Sequence, residues 1–117
     1  MKKPFFAAFL CFCLNQIQAK DEDFIDDIEY GKNLYENPHG ISCQKCHGNN
    51  GEGTIIASYK NRGKNKKLVA PQINQLSLEK FVQNINKGKG VMPKYYLTQK
   101  EILAIYKYLK SIRSPQQ

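Results

Sequence analysis

Cys43-Gln44-Lys45-Cys46-His47 gathers two thiols and an imidazole within five consecutive residues. Each thiol can add across one vinyl group of a haem, and the two residues between them let one turn of chain reach both. His47, next in line, is directed at the iron from the same side as an imidazole ligand. The spacing therefore predicts one covalently attached haem c, held through Cys43 and Cys46. Other uses of the same residue types fit less well. Zinc needs four ligands, and the only other histidine is His39. A redox Cys pair belongs to a strand-helix-strand unit, which the pattern lacks. A plain disulfide leaves His47 without a role.

The candidate for a second iron ligand is Met92. The chain has two methionines, Met1 and Met92. Met92 lies in Gly88-Lys89-Gly90-Val91-Met92-Pro93, where glycines permit close backbone approach and Pro93 stiffens the segment. A lone Met also serves as core filler. His39 competes, but it falls eight residues before His47 in a Pro-Gly loop. It reads as a surface or packing side chain.

The elements that must position these residues read as helices. A first helix is expected over about 24–36, with Phe24, Ile28, Gly31 and Tyr35 on one face. Acids cluster at its start, where they complement the helix dipole, and Asn37-Pro38 ends it. Ser77 caps a shorter helix through Leu78, Phe81, Val82 and Ile85, closed at Lys87-Gly88. The final helix opens on Thr98-Gln99-Lys100-Glu101, a capping box. Ile102, Ile105, Tyr106 and Leu109 form its stripe, and Ser114-Pro115 stops it. No strand alternation of useful length appears. About forty residues between the first and third helices lack periodicity, and a loop of that size needs something to wrap around. The expected fold is all-α: three to four helices and long loops around one haem.

The 117 residues suit one domain. Hydrophobic residues make up 41% and charged residues 24%, which excludes a disordered tail. Met1-Lys2-Lys3, ten apolar residues over 5–14 and the small Ala19 have the layout of a secretory signal. The expected division is a signal at 1–19 and a single domain at 20–117, with an uncleaved tether as the alternative. Ten apolar residues fall well short of the ~20 that span a bilayer. Leu10 before Cys11 and Phe12 before Cys13 argue against lipid attachment. Cleavage leaves Cys43 and Cys46 alone, in a compartment where thiols are oxidised or otherwise committed.

The sequence resembles the small class I c-type cytochromes, over roughly 24–112. Gly31 and Tyr35 stand before Cys43-Gln44-Lys45-Cys46-His47-Gly48 as that family's first-helix glycine and aromatic do. Ala70-Pro71-Gln72-Ile73 is similar to its Ala/Gly-Pro-x-Leu step, with Ile73 in place of the commoner Leu. Met92-Pro93 stands where its Met ligand is expected, and Tyr108-Leu109 where a last-helix aromatic packs on the first helix. The resemblance implies that the Pro71 carbonyl accepts a hydrogen bond from His47 Nδ1. It implies that Gly31 lets the first and last helices cross closely, with Tyr35 near Ile105 and Tyr108. Arg62, Tyr59, Tyr95 and Tyr96 are the candidates for the haem propionates.

With His47 and Met92 as ligands the iron has no vacant position, and one-electron exchange is the remaining chemistry. The expected protein is an electron carrier in the periplasm, a monomer and not an enzyme. It would work between a donor such as a quinol-cytochrome c reductase and an acceptor such as a terminal oxidase or peroxidase. A haem-based sensor and an accessory haem subunit of a respiratory complex are the alternatives. The chain carries 18 basic and 10 acidic residues, a net +8. From Asn37 onward there are 14 basic and 3 acidic residues, and Lys60, Arg62, Lys64, Lys66 and Lys67 fall within eight positions. That stretch is either a solvated loop or a surface steering the protein toward acidic partners. Nucleic acid is not expected as a partner, and the anionic membrane surface is a weak one.

Overall fold

The computed structural model describes residues 26–38 and 40–113. The proposed signal, Cys11, Cys13, Phe24, His39 and the Ser114-Pro115 stop lie outside the described residues. Helix α1 spans Asp27–Glu36, α2 Cys43–His47, α3 Leu78–Lys87 and α4 Gln99–Ile112, with strands β1 (Thr54–Asn61) and β2 (Lys64–Ala70) between α2 and α3.

Capping sets where the helices begin. The Asp26 carboxylate accepts from the Ile28 N–H at the head of α1, and Ser77 Oγ from Lys80 N at the head of α3. Thr98 and Glu101 complete the reciprocal box at the head of α4: Glu101 N donates to Thr98 Oγ1 at 3.2 Å, and Thr98 N to Glu101 Oε2 at 2.7 Å. The core lies where α4 meets α1 and α3. Leu34 and Tyr35 from α1, Phe81 and Ile85 from α3, and Ile102, Ile105 and Leu109 from α4 are buried. The buried face of α1 runs through Gly31, Leu34 and Tyr35, and Ile28 is exposed, so the stripe is rotated from the one the sequence suggests.

The α1–α4 crossing is close because Gly31 has no side chain. A Cβ there would lie 2.0 Å from the Ala104 carbonyl oxygen. Tyr35 and Tyr108 stack across the crossing, centroids 5.8 Å apart and tilted by 50°. Tyr106 holds α3 from the other side, 5.5 Å from the Phe81 ring, and donates to the Leu76 carbonyl at 3.2 Å.

The all-α expectation needs correction. Fifteen residues of the supposed loop form an antiparallel hairpin, with Thr54 paired to Ala70 and Asn61 to Lys64. Its turn is Arg62-Gly63, both at positive φ (50° and 75°), as a type I′ turn requires. Ile56 is the extra residue at a break in register between Ile55 and Ala57. All of β1 is exposed, and so is β2 as far as Lys67. With neither face buried, no alternation of apolar and polar residues marks the strands.

Candidate functional site

The short helix α2 carries the whole attachment motif. Ser42 caps it, its Oγ accepting from Lys45 N at 3.3 Å. One helical turn separates Cys43 from Cys46, and both thiols are free. Burial pushes the Cys43 thiol up to about 11, opposite to the lowered value of a redox-active thiolate. Cys43 rests against the core beneath it.

His47 ends α2 and is 8% exposed. Its Nδ1 lies 2.8 Å from the Pro71 carbonyl oxygen. A carbonyl only accepts, so Nδ1 carries the hydrogen and donates. Among the described residues nothing bonds to Nε2, which leaves that nitrogen's lone pair free to ligate. The bond implied by the resemblance is therefore present.

Two loops are stitched together to make that contact. Gly53 N donates to the His47 carbonyl and Ile73 N to the Gly51 carbonyl, each at 2.8 Å. Thr54 Oγ1 donates to the Cys46 carbonyl at 2.6 Å. Gly53 sits at φ 85°, and a Cβ on it would lie 2.7 Å from the Ala70 oxygen and 2.8 Å from Gln72 N. The two ends of the hairpin thus meet beside the proximal histidine. From α1, the buried Tyr35 hydroxyl donates to the Gly48 carbonyl at 2.6 Å. Burial holds that phenol well above the ordinary tyrosine range. The Glu52 carboxylate, lowered by backbone N–H donors, accepts from Asn50 N at 2.8 Å and tightens the turn after the motif.

Met92 lies in the segment joining α3 to α4. It is half-buried and packs on the same core cluster as Cys43. Its N–H donates to the Lys89 carbonyl at 3.1 Å. The Tyr95 hydroxyl donates to the Ile41 carbonyl and so ties the Met92 segment to the entrance of α2. Burial raises that phenol to about 12. Of the four candidates for the propionates, Arg62 stands at the hairpin turn and Tyr59 on exposed β1, while Tyr96 is 88% exposed. Sequence reasoning missed Thr54, Gly53 and the Tyr35–Gly48 bond. Gly51-Glu52-Gly53-Thr54, three residues beyond the motif, was a signal of a tight return.

The donor set suits a haem: two free thiols a turn apart, a buried imidazole with Nδ1 committed, and a thioether leaning on the same core. Among the described residues no group of three or more His, Cys, Asp and Glu side chains gathers to hold a metal ion. Helices crossing at Gly31, the attachment motif and the Pro71 contact define a c-type cytochrome domain. Residues 26–109 match the family model described as cytochrome c oxidase, cbb3-type, subunit III, and the chain belongs to that family. It carries one covalently attached haem c, through Cys43 and Cys46, and its role is electron transfer rather than catalysis. No curated protein and no solved structure matches the chain.

Proposed function

We propose that this chain is a periplasmic monohaem cytochrome that passes single electrons to a terminal oxidase of the cbb3 type, its iron ligated by His47 and Met92. The observation that carries this reading is the 2.8 Å contact from His47 Nδ1 to the Pro71 carbonyl, which fixes the imidazole so that Nε2 would be free to ligate a haem iron. Bound haem supplies one-electron exchange between ferrous and ferric iron. The protein does the rest. Cys43 and Cys46 anchor the group through repeated encounters. Pro71 raises the basicity of the His47 ring. The Met92 thioether favours the reduced state and raises the potential. Export by the segment 1–19 suits both the oxidised compartment and a partner at the membrane.

Residence as a subunit of the oxidase is a second reading, favoured by the description of the matched family. Co-migration with the oxidase on a native gel supports it over a mobile carrier. The primary test is the visible spectrum of the exported protein, reduced, with and without carbon monoxide, followed by oxygen uptake with purified cbb3-type oxidase. An unmoved c-type spectrum and reduction of the oxidase are expected. A clear shift with carbon monoxide would give the site to a ligand sensor.

A further inference from the structure

Nothing in the haem site requires a hairpin of this length. Its ends already touch, since a Cβ on Gly53 would lie within 3.0 Å of Ala70, Pro71 and Gln72 backbone atoms. The intervening 17 residues, 54–70, rise from that point as an appendage. They hold five cations and no acid. The register distributes the charge on all sides: Lys64 and Lys66 share a face with Tyr59, Lys60 and Lys67 share the opposite face, and Arg62 stands at the turn. Nearer the root, Ile55 pairs with Val69, and both are more than half exposed. An isolated two-stranded hairpin is only marginally stable in water. A covering surface would stabilise it.

We propose that the β1–β2 hairpin is a docking arm that enters an acidic cleft on a protein partner. Its identification as a respiratory partner rests on the function proposed above. Charge placement selects a cleft over a bilayer. A flat anionic membrane meets one face of a hairpin and leaves the cations of the other in water. Two acidic walls neutralise both faces at once. The apolar residues sit at the root and the cations toward the tip, the reverse of an arm that plunges tip-first into lipid. Within a cleft, the cations steer the encounter and Ile55 and Val69 are covered last. Thr54 at the root bonds the Cys46 carbonyl, so a partner gripping the arm is brought to the haem-attachment side.

Zero-length carbodiimide cross-linking tests the arm, with the full haem-loaded protein added to membranes of its source organism and the joined peptides mapped by mass spectrometry. Lys60 or Lys67 and Lys64 or Lys66 are expected to join Asp and Glu side chains of a single protein. The fourfold variant K60Q/K64Q/K66Q/K67Q, its visible spectrum unchanged, should lose the product by about tenfold or more at low salt. Cross-links confined to Lys87, Lys89 and Lys94, equal yield from the variant, or no product at all would overturn the proposal. So would arm-dependent binding to phosphatidylglycerol vesicles with no protein cross-link, which assigns the arm to the membrane. An arm that cross-links on a protein that fails to reduce the oxidase refutes the proposed acceptor and leaves the arm standing.

Discussion

Met92 and Tyr35 do opposite kinds of work on the same cluster. The Met92 thioether is half-buried, in contact with the core yet still open on one side. Replacing it removes the proposed second iron ligand and little packing. Met92→Ala is therefore expected to keep its covalent haem, to bind carbon monoxide when reduced, and to show a lowered potential by redox titration. Tyr35 is fully buried, and its hydroxyl serves the Gly48 carbonyl at the end of the attachment helix. Tyr35→Phe leaves that carbonyl short of a donor and is expected to cost about 1.5 kcal/mol in denaturant unfolding. The phenols also set the alkaline limit. Tyr95 is raised by burial from 10.0 to about 12, and Tyr35 moves in the same direction. Folding favours the neutral phenol, so this stability is whole below pH 10 and is lost as pH rises toward about 12. Denaturant midpoints across that window should fall steeply in the parent and less steeply in Tyr95→Phe.

At the scale of elements, two glycines hold backbones in contact, and substitution separates their roles. Gly31→Ala drives a methyl into the Ala104 carbonyl and opens the α1–α4 crossing. It is expected to cost about 1–3 kcal/mol, lowering the melting temperature by roughly 4–8 °C per kcal/mol. Gly53→Ala instead pries the hairpin root from the Pro71 step, next to the His47 bond. Its signature should be a changed imidazole environment, read by NMR of the His47 ring protons, on top of the stability lost by placing an alanine at φ 85°. Gly31 was legible in the sequence because a c-type motif follows it. The capping box at Thr98 and the cap at Ser77 were legible because each side chain has one local acceptor role. The hairpin was not. Its search signal is period two, and period two exists only where one face is buried. Here both faces meet water, and lysines occupy both. The β-branched run Thr54-Ile55-Ile56 and the turn Asn61-Arg62-Gly63 were the available clues, and neither depends on burial.

For the whole molecule, the question is what makes so small a core hold. Its buried apolar side chains come almost entirely from α1, α3 and α4. Around them Cys43, Ile73, Leu76, Met92, Tyr95 and Leu97 are only partly buried, and all but Cys43 come from connecting segments. A haem joined to Cys43 and Cys46 would cover these apolar faces and bind the connecting segments to the helices. Domains of this size draw much of their stability from such a staple. The double variant Cys43→Ala/Cys46→Ala is therefore expected to lose its cooperative thermal transition, followed by far-ultraviolet circular dichroism, and not merely its colour. A sharp transition within a few degrees of the parent would mean that the three packed helices suffice, and that the covalent bonds serve retention of the haem alone. The placement of the half-buried residues favours the first outcome. All but Cys43 lie on connecting segments tied by only a few hydrogen bonds, so a large apolar group covering them would add most of their order.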